Sequence, residues 1–522
     1  MSGSTLTVVH LASEMAPLAK VGGLADVVGA LAAEQARRGH RVTVALPAYR
    51  TLAVPAGWRR ESIAGAEVPW GLRRERAAFE LLHAPRVPAG GGGDGAAGSL
   101  RVLLVGHVGE RRFFERPGIY DDPATGAGYA DNAERFLFFA RAALEGLKML
   151  GQRVEVVHAH DQQAAWAPCF VRTHQARTRV FRGTATVFTV HNLGYQGIYD
   201  PWVLGLAGFP GHLFHPASPF EFWGRVNYMK VGLAFADLLS TVSPRYAQEV
   251  QQGDEYGFGL EGVLRRRGAD LRGILNGIDD ATWDPARDPH LPAPYGPDRL
   301  EGKRASHDLL AAECGFAPEW PIVGMVTRLV DQKGLDLVEE AQAALLELGA
   351  NYVVLGRGQP RHEEWLRAMM AAYPGRVHFC ARQDERMAHL IEGGADLFLM
   401  PSLYEPCGLN QMYSLRYGTV PVVRETGGLA DTVEEFDIAS RQGTGFLFQA
   451  YEAEAMVGAL RRALAIQRQP ELWRALQRNG MACDFSWRAS ADGYDRLYAD
   501  ALERVRAGKA QTLETVRATL KV

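Results

Sequence analysis

The chain has 522 residues, 47% of them hydrophobic, which is more apolar material than one core absorbs and sets an expectation of two domains. Lys and Arg number 57 against 60 for Asp and Glu, and the net charge of −3 gives no general attraction to nucleic acid or an anionic membrane. No apolar run approaches the ~20 residues of a bilayer span, the opening "MSGSTLTVVHLASEM" has neither the basic nor the apolar region of a signal peptide, and Cys169, Cys314, Cys380, Cys407 and Cys483 form no CxxC pair, so a reducing, cytoplasmic setting is expected.

Short β-rich runs alternate with longer amphipathic ones along the chain. "LTVVHLAS", "RVTVALP", "RVLLVGH", "VEVVHAHD", "TATVFTVHN" and "DLLSTVS" read as strands of a first half. "LRGILNG", "PIVGMVTRL", "NYVVLGRG", "RVHFCA", "LFLMPS" and "VPVVRET" read as strands of a second. Near-continuous Val/Ile/Leu strands with helical crossovers indicate parallel sheets covered on both faces, hence an α/β protein of two doubly wound halves. The Pro-rich stretch Asp284–Arg299 lies early in the second half, and the boundary is placed before it, near residue 269. "VPAGGGGDGAAGS" at Val87–Ser99 reads as a surface loop. The last ~35 residues read as a closing helix without a new strand.

Parallel sheets bind ligands at the C-terminal ends of their strands, so polar residues just past those ends carry the functional argument. After the first strand, Gly22 and Gly23 open a helix with Lys20 beside them. Glycines let a ligand approach the backbone, and a helix start offers free N–H groups to an anion. A tight turn with no ligand is the alternative. "VVHAHDQQAAW" ends a strand in His158, His160 and Asp161; a hydrogen-bonding role fits better than metal, because the sequence shows no third ligand nearby. "TVHNLGYQG" repeats the theme with His191 and Asn192. In the second half, Arg328 and Lys333 share one loop after a strand, a clamp suited to a diphosphate. Glu405 follows "LFLMPS", and Pro406 suits the first turn of a helix, which would aim the N–H groups of Cys407, Gly408, Leu409 and Asn410 at a ligand. Gly427 and Gly428 form a second Gly-Gly helix start, and "GGLAD" occurs once in each half. Together these features suit a nucleoside-diphosphate sugar.

In that order and spacing, "SEMAPLAKVGGLADVVGAL", "YADNAERF", "VVHAHD", "FTVHNLGYQG", "LNGID", "TRLVDQKGLDL", "PSLYEPCGLNQMYSLRYGT" and "RETGGLADTV" resemble bacterial glycogen synthases and plant starch synthases over nearly the full length. The resemblance implies the GT-B fold of the family GT5 retaining glucosyltransferases, two Rossmann-like domains facing across a deep cleft. Residues 1–268, completed by a C-terminal helix within 489–522, would form the acceptor domain, and 269–488 the donor domain. It implies ADP-glucose as donor and an α-1,4-glucan such as glycogen as acceptor, with no metal and no cofactor. His160 would touch the transferred glucose, Arg328 and Lys333 would hold the diphosphate, and Glu405 would bind glucose hydroxyls. Lys20 would lie by the donor, and Glu14, Asp26 and Asp131 would line the cleft. The chain departs from the family at Gln162 and Gln163, where "HDQQ" replaces "HDWH", and at "GRGQ", where Arg357 adds a cation. UDP-glucose as donor, or a smaller acceptor such as sucrose or a lipid, is the nearest rival. A nicotinamide-dependent dehydrogenase is disfavoured by the lack of GxGxxG, and a non-catalytic glucan binder by the intact charged set.

Overall fold

The structure, a computed structural model, describes residues 5–85, 98–512 and 514–516. The Gly-rich stretch read as a loop therefore lies outside the described residues up to position 97, and Ser99 already begins a strand. The chain forms two compact units. The first takes the described residues up to Val242, Ala247–Ile274 and the segment from Trp487; the second takes Ser243–Tyr246 and Leu275–Ser486.

The first unit is built on a nine-stranded sheet. Its strands are β1 (Thr7–Leu11), β2 (Arg41–Pro47), β3 (Arg59–Trp70), β4 (Arg73–His83), β5 (Ser99–Val108), β6 (Val156–His160) and β7 (Ala185–Val190). After a separate small hairpin of β8 (Ile198–Tyr199) and β9 (Val226–Asn227), β10 (Leu238–Thr241) and β11 (Leu271–Gly273) complete it. The spatial order is β11-β10-β7-β6-β1-β2-β5-β4-β3. The strands from β11 to β5 run parallel, and the Val/Ile/Leu-rich β6 and β7 are buried at every position.

Two features depart from the reading of the sequence. "LRGILNG" does not open the second half, because Leu271–Gly273 pairs with β10 as the edge of the first sheet. The ribbon of β3 and β4, antiparallel to each other and to β5, went unread, since "RRESIAGAEVPW" is exposed along most of its length and lacks the apolar run of a doubly covered strand.

The helix Trp487–Arg506 belongs to the first unit. Its Ala491, Tyr494, Leu497, Tyr498, Ala501 and Leu502 pack with Val8, Val27, Leu31, Val156 and Val187. Burial of a large apolar side chain contributes about 1.5–3 kcal/mol, more than helix propensity supplies, so packing holds this helix in place.

The second unit carries a six-stranded sheet of β12 (Ile322–Val326), β13 (Asn351–Leu355), β14 (Val377–Cys380), β15 (Leu397–Met400), β16 (Val420–Arg424) and β17 (Phe446–Phe448). All pairs are parallel, in the order β14-β13-β12-β15-β16-β17. Strand alternation splits the core between two faces. Val323, Met325, Val354 and Leu399 meet Leu335, Leu460 and Leu464 on one side; Ile322, Val353 and Phe398 meet Leu310, Leu390 and Ile391 on the other. This is the doubly wound arrangement expected from sequence. Among the described residues no helix is long and apolar enough to cross a membrane.

Leu497→Ala is expected to destabilise the protein by about 2–5 kcal/mol, the range for a buried leucine, measured as a lower Tm of the first unfolding transition.

Candidate active site

In a doubly wound sheet the strand order reverses at one place, and the loops leaving the two strands there diverge to leave a crevice. In the first unit the reversal lies between β1 and β6; in the second it lies between β12 and β15. The residues singled out from sequence follow these four strands, with few exceptions. Each unit is described in turn.

In the first unit, β1 leads to Glu14, which is almost fully buried. Its Oε2 accepts from the amides of Val21 (2.5 Å) and Gly22 (2.9 Å), and its Oε1 accepts from the Tyr120 hydroxyl (2.5 Å). Burial raises the pKa of this carboxyl against the opposing effect of those hydrogen bonds. Glu14 thus holds the Lys20–Gly23 loop in shape. Gly22 is the N-cap of the helix Gly23–Arg37 and has open space where a Cβ would sit. Lys20 pairs with Asp26 at 2.7 Å on an exposed surface. Asp131 precedes the helix Asn132–Leu150 and takes a two-pronged contact from Arg116, at 2.7 and 2.5 Å.

β6 ends in His160, which has no exposed surface. Its Nε2 lies 2.9 Å from His10 Nδ1, and its Nδ1 lies 2.9 Å from His191 Nε2. Asp161 follows in the left-handed region (φ 55°) and accepts from the His191 amide at 2.7 Å. Burial pushes the Asp161 carboxyl up to about 7 despite its backbone hydrogen bonds. Asn192 turns inward on its own loop, accepting from the Gly194 amide at 2.9 Å. Gln162 and Gln163 are buried, and each has a side-chain carbonyl without a hydrogen-bond partner.

The structure supplies the third histidine that the sequence did not reveal. His10, His158 and His160 bring ligand atoms within 4.8 Å of one another. These rings, however, already bond to one another and to Gln35, Tyr498, Thr189 and His191, and among the described residues no carboxylate joins them. A dication there would be buried without compensating charge, so the cluster is a hydrogen-bonded stack.

In the second unit, Arg328 follows β12 with its side chain exposed. The same loop runs on to Lys333, whose Nζ meets Glu405 Oε2 at 2.5 Å. Ser402 adds a hydroxyl to that oxygen at 3.0 Å. Backbone contacts dock the two loops together: Leu403 N donates to Gln332 O (2.9 Å), and Gln332 Nε2 donates to Tyr404 O (3.1 Å). A nearly buried carboxylate at a strand end is therefore tolerated because a lysine and a hydroxyl attend it.

The helix that "YEPCGLNQ" leads into begins at its Asn410, and Pro406 is not in its first turn. Gly408 adopts φ 74°, and the Gln411 side chain donates to the carbonyls of Cys407 (3.0 Å) and Gly408 (3.1 Å), which diverts them from helical bonding. Cys407, Gly408 and Leu409 form a turn ahead of the helix. Burial pushes the Cys407 thiol up to about 12, so it is not a nucleophile at neutral pH. Gly427 and Gly428 pack on the same segment: the Gly428 amide donates to Glu405 O at 3.0 Å, and a Cβ on Gly428 would stand 2.2 Å from Cys407 O. Gly427 and Gly428 do open a helix, Gly427–Thr432, as the sequence indicates, and the close packing against Glu405 and Cys407 that also requires them is a tertiary effect with no local signal.

Two Rossmann-like units, together with family-model and structural matches, make this a glycosyltransferase of the GT-B fold. Residues 7–266 match the family model described as starch synthase catalytic domain, and residues 310–482 match glycosyl transferases group 1. The chain is 45% identical to a glycogen synthase of Anaeromyxobacter sp. (strain Fw109-5) over 94% of its own length and 99% of that protein. It is 42% identical to glycogen synthase 1 of Methylococcus capsulatus, over 96% and 98%. The catalytic domain of starch synthase IV from Arabidopsis thaliana, solved bound to ADP and acarbose, superposes with a TM-score of 0.85 at 34% identity, covering 96% of this chain and 100% of that one. The chain belongs to the glycogen synthase and starch synthase family, and it is a glucosyltransferase of glycogen or starch synthesis.

Gly428→Ala is expected to push the Glu405–Cys407 backbone out of place. The overpacking should cost about 1–3 kcal/mol, read as a lower Tm together with a fall in kcat.

Proposed function

We propose that the protein transfers glucose from ADP-glucose to the 4-hydroxyl at the non-reducing end of an α-1,4-glucan, with retention of configuration. In this reading the second unit holds the donor and the first serves the glucan. A cytoplasmic setting goes with it, in keeping with the free thiols of all five cysteines. The observation that carries the reading is the charged set at the second switch point, with Arg328 and Lys333 after β12 and Glu405 after β15.

The bond from the anomeric carbon to the diphosphate oxygen breaks, and negative charge grows on the leaving group. Arg328 and Lys333 stabilise that charge more in the transition state than in the ground state. The glucose becomes oxocarbenium-like, and the Glu405 carboxylate offers it hydroxyl contacts and a compensating negative charge. The acceptor hydroxyl attacks from the face the diphosphate leaves, and its proton passes to the departing phosphate oxygen. Buried Cys407 cannot serve as a covalent nucleophile, and Glu405 is already engaged by Lys333 and Ser402. Asp131, Lys20, Asn192, the backbone carbonyl of His160 and the amides of Cys407–Asn410 are proposed to line the substrates, the His160 ring itself being buried. Incubation with glycogen and labelled ADP-glucose should give incorporation well above that from UDP-glucose. Preference for UDP-glucose, or transfer to a small acceptor alone, would replace this reading with its rival.

Arg328→Ala should lower kcat by roughly 10²–10³-fold, by analogy with loss of one preorganised donor to a developing anion, and should leave Tm unchanged. Lys333→Ala should lower kcat similarly but also destabilise the fold, because it strands Glu405. The loss should fall below the ~3–5 kcal/mol of a fully buried pair, and Glu405→Gln in the same chain should recover most of it. An unchanged Tm in Lys333→Ala would argue against the pair.

Because side chains supply the charge at the phosphates, activity should survive EDTA. Complete loss on chelation, restored by Mg²⁺ or Mn²⁺, would overturn this assignment.

A further inference from the structure

Three arginines stand at equivalent places beyond the second sheet. Val326, Leu355 and Cys380 lie side by side in register at the ends of β12, β13 and β14. Two positions past each comes an arginine, Arg328, Arg357 and Arg382, and all three are exposed. The pairing of β12 with β13 runs on past the strands. Thr327 N donates to Leu355 O (3.0 Å), Leu329 N donates to Arg357 O (2.9 Å), and Gln359 N donates to Leu329 O (2.7 Å). The glycines of "GRG" make this approach possible. A Cβ on Gly356 would stand 1.9 Å from Thr327 O, and one on Gly358 would stand 2.1 Å from Leu329 O. Arg357 is therefore clamped against the two residues that flank Arg328, their backbones about 4.8 Å apart, one strand spacing.

Like charges set side by side repel, and the neighbouring exposed arginines of this unit are each balanced by a carboxylate. Arg382 meets Asp384 at 2.6 Å, Arg367 meets Glu363 at 2.7 Å, and Arg361 reaches across to Asp331 on the loop that leaves β12. Arg328 and Arg357 differ: among the described residues, neither meets a carboxylate within ion-pair distance. Two unbalanced guanidinium groups fixed side by side make a site for one anion that spans both. Each offers a planar fork to phosphate oxygens.

We propose that Arg357 is a further donor-binding residue, holding the phosphate on the nucleoside side of the diphosphate while Lys333 and Arg328 hold the phosphate on the sugar side. The inference rests on the glucosyl-transfer reading above. Order along the sheet carries it. Glu405 follows β15 and meets Lys333 at 2.5 Å, so Lys333 marks the sugar end of the cation row. The strands run β15-β12-β13, which puts Arg357 one strand further from Glu405 than Arg328. The donor has its parts in the same order: sugar, phosphate, phosphate, nucleoside. Negative charge grows on the oxygen between the sugar and the first phosphate, whereas the second phosphate is charged before and after transfer. Arg357 therefore binds ground state and transition state alike, and its contribution falls on KM. Arg328 and Lys333 act on kcat.

The test uses the full chain with Arg357→Ala, Arg357→Lys and Arg328→Ala. It reads steady-state kinetics with ADP-glucose and glycogen beside calorimetric affinities for ADP and AMP. Arg357→Ala should raise the KM for ADP-glucose about tenfold, the size of one hydrogen bond to a charged group, with little change in kcat or Tm. AMP carries only the nucleoside-side phosphate, so the affinities for AMP and ADP should fall by the same factor. Arg357→Lys keeps the charge without the fork and should recover part of the loss. Arg328→Ala should instead weaken ADP more than AMP and lower kcat. A fall in kcat for Arg357→Ala at unchanged KM, or a loss confined to ADP, would put Arg357 on the sugar-side phosphate and overturn the proposal. Unchanged KM and unchanged nucleotide affinities overturn it outright. If AMP binds the wild type too weakly to measure, the division of the effect between KM and kcat decides. Failure of the wild type to transfer glucose would defeat the functional reading, while ADP and AMP affinities that depend equally on Arg357 would leave the phosphate site standing, so the two failures are distinguishable.

Discussion

Parallel pairing is the constraint from which the candidate site of each unit follows. Strands that all run one way deliver their chain exits to a single edge of the sheet, and the reversal of strand order parts two neighbouring loops there. In the second unit the parting falls between β12 and β15, the strands that deliver Arg328, Lys333 and Glu405. In the first it falls between β1 and β6, which deliver the Glu14–Gly23 loop and His160. The remainder of each unit serves to keep those strands parallel. Helices cover both faces because a parallel sheet is apolar on both, and the segment from Trp487 supplies one of the covers of the first sheet.

The charged groups at these places are paired with one another. Lys333 engages Glu405, Arg116 engages Asp131, Lys20 engages Asp26, and Glu14 engages two backbone amides. Such pairing keeps a site assembled without ligand, since a half-buried charge left alone is costly. It also means that a ligand binds by exchange. In the proposed reading, a diphosphate drawing on Lys333 would loosen its hold on Glu405, and sugar hydroxyls would then occupy the freed carboxylate. Phosphate binding and sugar binding become coupled through one ion pair, and a donor carrying both groups gains over either group alone.

Much of this was legible in the sequence because the signals were local. Val/Ile/Leu runs gave β1, β2, β5, β6, β7 and β10 of the first sheet and β12 to β16 of the second. The family motifs pointed to the charged residues at the exits. What stayed hidden depends on tertiary pairing. The β3–β4 ribbon has polar, exposed strands without the apolar run, and β17 is only Phe446–Phe448. The helix start at Asn410 is set by a left-handed Gly408 and by the Gln411 side chain, which no propensity scale registers. His10 joined the histidines of β6 only once β1 was laid beside it, and Tyr498 lies more than three hundred positions further along the chain.

The contrast between the strand-end groups of the two units has a physical logic. In the proposed reading the leaving diphosphate needs positive charge, and the second unit would supply it from Arg328 and Lys333. The sugar becomes positive as that group leaves, and a cation beside it would oppose the reaction. A histidine that titrated near neutrality would be such a cation part of the time. Burying His10, His158 and His160 in the sheet removes that hazard at the expense of a desolvated polar row, and the row is tolerated because each ring finds its hydrogen-bond partners in its neighbours. Imidazoles kept dry and neutral also add no positive charge beneath the strand ends of the first sheet.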